Sequence, residues 1–401
     1  MDASELTPLF NNYHRKIAKI DLRFKRYLYS RINWDAKIIC IKGARGVGKT
    51  TMLLQHILEN YEDIDRTLYV SLDDLWFSSH SLIDLVDWAD RHGMRRLYLD
   101  EVHRYDNWAQ TLKNIYDSYP DMSIVYTSSS LLIIDHAKAD LSRRQTSYLL
   151  NGLSFREFLM LEEVLQVDPI PLNELVRTHV AKAMEITGKL KIAPWFEKYL
   201  RSGYYPFYRE NPNDFLQNLR ETVLVVIDND LPAVENMTME TIQKIKRLLM
   251  IISRRVPFQP NLSELWKQLA TSNESGLKML YALDRAQILT LLLNETKNYK
   301  HLSKPEKIFL GDTNLMYALC TTVDRGNERE TFFYTQLKID NEVTNPLKGD
   351  FIVNEKYLFE VGGKNKKFDQ IADLPDSFLA VDDTEVGYGN RIPLWLFGFL
   401  Y

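Results

Sequence analysis

Gly43, Ala44, Arg45, Gly46, Val47, Gly48, Lys49 and Thr50 satisfy the pattern Gly-x-x-x-x-Gly-Lys-Ser/Thr at every position. Glycines at this spacing let the main chain curl until successive N–H groups point at one centre, where phosphate oxygens are their natural partners. An apolar run precedes the segment, and residues 51–60 carry a helical pattern, so a helix N-terminus would face the same centre. Lys49 would reach the β- and γ-phosphates of a nucleoside triphosphate and Thr50 would ligate Mg²⁺, with the cradle running on to Thr51. A glycine-rich turn with an incidental lysine would not account for the strand before it and the helix after it.

About fifty residues on, the run Arg96-Leu97-Tyr98-Leu99 ends in Asp100-Glu101. A buried strand there would deliver Asp100 to the metal's outer shell, and Glu101 would polarise an attacking water. The plainer alternative is an acidic pair capping the following turn. One strand-like segment, residues 67–72, lies between the two motifs, which is the layout of P-loop ATPases with an additional strand and a catalytic glutamate. The next apolar run, residues 123–127, leads into Ser128-Ser129-Ser130, where Ser129 is a candidate γ-phosphate sensor or part of a serine-rich turn. Arg143 and Arg144 follow; either is a candidate arginine finger for a neighbouring subunit, and a solvated basic face is the other reading. His103 is read as a core histidine, with a coupling role between nucleotide state and the lid as its alternative.

The elements that must hold these residues alternate. Apolar runs at 37–42, 67–72, 96–100, 123–127 and 147–150 are separated by helical patterns, which predicts an α/β domain with a mainly parallel sheet. Residues 154–302 read as successive helices, and residues 305–401 return to mixed strands and helices. The predicted domains are therefore 1–152 for the P-loop ATPase core, 153–237 for a helical lid, 238–304 for a winged-helix module and 305–401 for an α/β nuclease-like domain. The turn Gly203-Tyr204-Tyr205-Pro206 is a hinge candidate or an ordinary loop, and the aromatics from Tyr204 to Tyr208 are read as lid core.

Within 261–302 the pattern predicts a short helix over 264–269 capped by Asn261 or Ser263, a turn at 271–273, a helix over 274–289 and a wing over 291–302. Leu277, Leu280, Leu283 and Ile288 form its apolar face. Asn273, Ser275, Lys278 and Arg285 are the outward set, a modest electropositive surface for duplex DNA. In the tail, Asp350 and Glu360 flank two predicted strands that a hairpin would bring together, with Glu330 as a third acid, as Mg²⁺-dependent nucleases require. The lysine such a site needs two residues after the second acid is replaced by Gly362, and Lys364 is the nearest substitute. A vestigial structural or binding site is the favoured reading.

Composition sets the bounds. The chain has 401 residues, 45% of them hydrophobic and 26% charged, with a formal net charge of −4, which fits a multidomain globular protein and not a bulk coat for nucleic acid. No apolar stretch approaches the ~20 residues that cross a bilayer. The first ten residues lack a charged-then-apolar export pattern. Cys40 and Cys320 are the only cysteines, so a reducing, cytoplasmic location is expected. The histidines and cysteines show no zinc spacing.

The strings at 41–52 (IKGARGVGKTTM), 97–108 (LYLDEVHRYDNW), 140–144 (DLSRR), 152–159 (GLSFREFL) and 359–364 (FEVGGK) add a family likeness. The chain resembles the bacterial and archaeal AAA-like ATPases with a helical lid, a winged helix and a degenerate restriction-endonuclease-like C-terminal domain. The resemblance implies an AAA-like core using ATP and Mg²⁺, with Arg143 or Arg144 at the finger position. The group commonly has Thr-Gly-Ser-Ser where this chain has Thr127-Ser128-Ser129-Ser130, which keeps the polar sensor and puts a side chain at Ser128. The expected function is an ATP-hydrolysing switch that moves an interaction module, with a protein client or a homo-oligomer among its partners. An ATP-gated nuclease and a nucleotide-bound interaction protein with little turnover are the alternatives.

Overall fold

Aliphatic and aromatic residues fill five short runs of the first unit, and each is a strand: β1 Ile38–Lys42, β2 Thr67–Ser71, β3 Arg96–Asp100, β4 Ser123–Ser128 and β5 Thr146–Leu149. In this computed structural model they form one sheet in the order β2-β3-β4-β1-β5, parallel throughout. Ile38, Cys40, Leu68, Val70, Leu97, Leu99, Ile124 and Tyr126 share one core cluster. Their chain neighbours Ile39, Ile41, Tyr69, Tyr98 and Val125 are just as buried. Cover on both faces is why the runs of β1 to β4 read as continuously apolar, whereas the edge strand β5 is largely exposed.

Residues 2–60, 64–128, 141, 143–232, 237–254, 260–293 and 304–401 are described. They divide into two compact units, Met1–Asn151 and Gly152–Tyr401. In the first, α1 Ala3–Ile17, α2 Lys49–Asn60, α3 Leu82–Arg91 and α4 Trp108–Ser118 surround the sheet. The sequence reading had no place for α1. Its buried Leu6, Leu9, Tyr13 and Ile17 recur at spacings of three and four, which is the amphipathic signal that would have found it. Helix α2 begins at Lys49, two residues earlier than expected, and Tyr98 of β3 bonds His56 near its end at 2.7 Å.

The second unit opens with α5 Phe155–Leu161, started by a reciprocal cap between Ser154 and Glu157. Helices α6 Leu172–Thr187, α7 Ile192–Ser202, α8 Phe215–Val225, α9 Met239–Ser253, α10 Leu262–Gln268 and α11 Asn273–Arg285 follow. Asn261, not Ser263, caps α10, and Ser272 caps α11. The expected helix to residue 289 stops at Arg285, because Gln287 turns left-handed at φ 60. Leu289–Leu292 is instead β6, paired antiparallel with β7 Lys307–Leu310. This pair spans the boundary predicted at 304/305, and most of the predicted wing lies outside the described residues. Tyr204, Tyr205 and Tyr208 are buried, and a Cβ on Gly203 would meet Tyr199 and Phe158 at 2.6–2.8 Å. The hinge candidate is thus a packed turn.

The rest of the unit comprises α12 Thr313–Leu319, α13 Arg325–Leu337, β8 Val343–Thr344, β9 Phe351–Val353, β10 Tyr357–Gly362, β11 Ser377–Val381 and β12 Arg391–Pro393. The five strands form a second sheet in the order β12-β11-β10-β9-β8. Strands β8, β9 and β10 are antiparallel, and β10, β11 and β12 are parallel. Helix α13 packs on β9 and β10 through aromatic contacts of Phe333 with Phe351 and Phe359.

Asp312 joins the helical and mixed parts of this unit. It is 1% exposed, its Oδ1 accepts the Leu315 N–H at 2.9 Å to cap α12, and its Oδ2 accepts the Tyr205 hydroxyl at 2.7 Å. Burial pushes its carboxyl up to about 6, against hydrogen bonds that pull the other way. A folded carboxyl that holds its proton more tightly than the unfolded one adds stability that is complete below pH ~4 and is lost as pH rises through about 6. The loss amounts to something on the order of 2–3 kcal/mol. Asp312→Asn is therefore expected to remove this component, so that its stability difference from wild type moves in its favour between pH 4.5 and 7.5. Urea unfolding of both proteins across that range is the check; parallel curves would contradict it.

Candidate functional site

Parallel strands bring all their C-terminal ends to one edge, and the predicted chemistry gathers there. The phosphate loop follows β1, Asp100 and Glu101 end β3, and Thr127 and Ser128 end β4. Gly46 and Gly48 adopt φ of 80 and 95, which turns the loop back onto the start of α2. A Cβ on Gly43 would lie 2.3 Å from the Leu150 carbonyl oxygen, so only glycine lets β1 leave the sheet here. Lys49 is buried and its Nζ donates to the carbonyls of Gly43 and Ala44 at 2.9 and 2.8 Å. The ammonium thus sits inside the curl formed by Gly43, Ala44, Arg45, Gly46, Val47 and Gly48.

Asp100 is 3% exposed and accepts three hydroxyl hydrogens. Thr50 Oγ1 donates to its Oδ2 at 2.6 Å, Tyr69 from β2 donates to the same oxygen at 2.8 Å, and Thr127 donates to Oδ1. Burial, followed by the charge of Asp100, drives the Tyr69 phenol well above its ordinary range, so it stays a donor. Thr50 and Asp100 together offer hard oxygen donors only, a set that suits Mg²⁺ completed by water and phosphate oxygens. Among the described residues no group of three His, Cys, Asp or Glu side chains is placed to hold a metal without such help. Glu101 lies in the left-handed region at φ 52. Its N–H donates to Thr127 Oγ1 at 3.2 Å, and its Oε2 lies 3.4 Å from Nε2 of the buried His103.

The remaining predicted residues separate. Ser129 lies outside the described residues. Ser128 is an ordinary strand residue in register with Lys42, so the side chain at this position is accommodated without special backbone. Arg144 bonds Asp117 at 3.3 Å and lies 5.6 Å over the Tyr116 ring, whereas Arg143 is exposed. A residue missed in the sequence is Arg26, 5% exposed. Its guanidinium donates to the Val47 carbonyl in the phosphate loop and, at 2.7 Å, to the Asn151 carbonyl. A fully buried arginine aimed at carbonyls has no local sequence signature. A cleft of about 670 Å³ lies at the opposite edge of the sheet, against Trp34, His56, Arg95 and Arg96, and none of the predicted site residues lines it.

In the second unit the tail acids partly converge. Val361 N–H donates to Asp350 Oδ2 at 2.8 Å across the β9–β10 hairpin, and Lys307 Nζ lies 3.2 Å from Glu330 and 3.9 Å from Asp350. Burial raises the Glu330 carboxyl, and the Asp350 charge adds to this while Lys307 opposes it. Glu360 is paired not with Lys364, which is exposed, but with Lys366 at 2.7 Å. A Cβ on Gly362 would meet the Lys366 side chain at 2.6 Å, so the missing side chain leaves room for a lysine arriving from further along the chain. On the surface expected to face duplex DNA, Asn273 accepts from Trp266 at 3.0 Å and Lys278 pairs with Glu274 at 2.7 Å. Ser275 N–H is bound by the Ser272 cap, and Arg285 is half-buried.

Residues 35–159 match a family model described as an AAA domain. Two uncharacterized proteins of Methanocaldococcus jannaschii are similar over most of the chain. One is 26% identical over 318 residues, covering 75% of this chain and 67% of the relative; the other is 23% identical over 348 residues, covering 83% and 71%. Of solved structures, the Walker-type ATPase of Pyrococcus abyssi is similar at 13% identity and a TM-score of 0.43, over 74% of this chain and 95% of that one. Sheet order, the glycine-lysine loop and the AAA-domain match support an AAA-like P-loop ATPase domain in the first unit, which implies nucleotide binding. No helix among the described residues is long and apolar enough to cross a membrane.

Arg26 provides a test of how the loop is held. Arg26→Met leaves two buried carbonyls without their charged donor, a change worth about 1.5–3 kcal/mol. Affinity for a fluorescent ATP analogue is expected to fall by roughly ten- to a hundredfold by that measure, with far-UV circular dichroism unchanged. Wild-type affinity in this variant would show that the loop keeps its shape without the guanidinium.

Proposed function

We propose that the first unit binds ATP with Mg²⁺ and hydrolyses it. The hydrogen bond from Thr50 to Asp100 carries this reading, because it brings the loop and the β3 acid within one hydroxyl of each other at the edge where the phosphates would lie. Gly43 to Gly48 would cradle the phosphates with main-chain N–H groups, Lys49 would pair with their outer oxygens, and Thr50 and Asp100 would hold the metal. The bound Mg²⁺ supplies charge neutralisation on the β- and γ-phosphates. Glu101, next to the metal acid and 22% exposed through its side chain, is the group that orients the attacking water. Arg143 is the better finger candidate of the two, since Arg144 is already engaged by Asp117 and Tyr116.

The rest of the chain is proposed to act as the responding module of a nucleotide-driven switch. Helices α9, α10 and α11 followed by the β6–β7 pair support a winged-helix reading of this part. Its outward residues are largely spent on neighbours, with Asn273 on Trp266 and Lys278 on Glu274, which favours a protein contact over duplex DNA. The tail has the strand hairpin and the acids of a nuclease-like domain. Lys307 and Lys366 set two positive charges among Glu330, Asp350 and Glu360, and this supports a vestigial role over an ATP-gated nuclease.

Phosphate release by the purified full chain tests the proposal. Lys49→Ala is expected to lose nucleotide binding. Glu101→Gln is expected to keep binding and lose turnover by on the order of a hundredfold or more. If Arg143 acts on a neighbouring subunit, specific activity rises with protein concentration and Arg143→Ala removes that rise, while Arg144→Ala does not. Equal, near-zero rates for wild type and Glu101→Gln would favour a nucleotide-bound protein that does not turn over.

A further inference from the structure

After Asp100 the chain leaves the sheet abruptly. Glu101 takes a left-handed conformation that a side-chain-bearing residue adopts only at a cost, and Val102–Arg104 then form a single tight turn. The consequence of this turn is that the third residue, His103, folds back beneath the first. Its side chain is 2% exposed, with Nδ1 3.1 Å from Ser128 Oγ and Nε2 3.4 Å from Glu101 Oε2. A strand end, an imidazole and a carboxylate stand in line.

A hydrogen bond from His103 to Glu101 needs the proton on Nε2, since an ionised carboxylate only accepts; the 3.4 Å approach does not meet hydrogen-bond geometry in this structure. With that proton on a neutral ring, Nδ1 accepts and the Ser128 hydroxyl donates to it. Ser128 thereby selects the tautomer that His103 presents to Glu101. With Oε2 facing that donor, the carboxylate is restrained in how it turns. Thr127, one residue before Ser128, accepts the Glu101 N–H and donates to Asp100. The end of β4 therefore reaches both acids, one directly and the other through His103. Contacts of this kind are commonly longer in the nucleotide-free enzyme and close when the ligand binds.

We propose that His103, with its tautomer set by Ser128, is the positioning residue for Glu101, fixing the carboxylate that orients the attacking water and tying its aim to the end of β4. This inference rests on the hydrolysis reading above. Steady-state phosphate release and nucleotide affinity are measured on the full chain for His103→Ala, His103→Gln, Ser128→Ala and the double variant His103→Ala/Ser128→Ala, beside Glu101→Gln. His103→Ala is expected to lower kcat on the order of 10- to 100-fold, as removing an orienting partner does, while KM and nucleotide Kd stay within about twofold. In His103→Gln the amide can donate towards Glu101 and accept from Ser128, so part of kcat returns. Ser128→Ala lowers kcat by a smaller factor, and adding it to His103→Ala lowers kcat no further, because both act through one route. Wild-type kcat in His103→Ala overturns the inference. So does a matching loss of nucleotide affinity with no recovery in His103→Gln, which would mark a purely structural histidine. If Glu101→Gln abolishes turnover and the His103 variants do not change it, only this inference fails. If wild type releases no more phosphate than Glu101→Gln, the hydrolysis reading fails and takes the inference with it.

Discussion

A carboxylate removed from water must be given back the hydrogen bonds it loses, or it takes up a proton or unfolds its surroundings. Asp100 is in that position at the C-terminal edge of the first sheet, and three hydroxyls serve it: Thr50 from α2, Tyr69 from β2 and Thr127 from β4. Because each donor comes from a different element, satisfying one charge aligns the phosphate loop's helix, the edge strand and the strand beside β1.

The sheet order explains how the loop and the acid can be near each other without being on adjacent strands. Strand β4 lies between β1 and β3, so the strands that lead into the loop and into Asp100 are two strand spacings apart, roughly 10 Å. That gap suits a phosphate chain with its metal, and it places the end of β4 in the middle. Thr127 and Ser128 are the residues found there, and they reach towards Asp100, Glu101 and His103. The central strand is thus the element through which a change at the nucleotide would be felt by both acids.

Much of the first unit was legible because its signals are local. A glycine-lysine loop between a strand and a helix, and an acidic pair ending an apolar run, need only a few consecutive residues to be recognised. The boundaries of β1 to β4 fell within one or two residues for the same reason: burial on both faces leaves no polar interruption. What escaped notice depends on distance along the chain. Arg26 reaches the loop at Val47 and the chain at Asn151, and nothing around Arg26 encodes either partner. Tyr69 reads as one more apolar strand residue until β3 is laid beside it. Helix α1 is a different case: its polar residues alternate with a regular apolar stripe of Leu6, Leu9, Tyr13 and Ile17 that only the helical period brings together. The helix expected to continue to residue 289 failed on a left-handed turn at Gln287, a residue type that does not announce one.

The tail shows how misleading strict spacing can be in both directions. Counting two residues from Glu360 lands on Gly362, and the next lysine in sequence, Lys364, points to solvent. The lysine that meets Glu360 is two residues further, and it can do so because Gly362 has no side chain to block it. The same glycine that removes the expected group makes room for its replacement. Yet the replacement does not recreate a metal site. Lys307 stands 3.2 Å from Glu330 and Lys366 stands 2.7 Å from Glu360, so the positive charge these buried acids require is already provided by the protein. A cation entering would have to displace ammonium groups that are covalently part of the chain. The Lys366 ammonium is held in its charged form first by its bond to Glu360. Lys307, set between Glu330 of α13 and Asp350 at the start of the β9–β10 hairpin, ties the two together electrostatically.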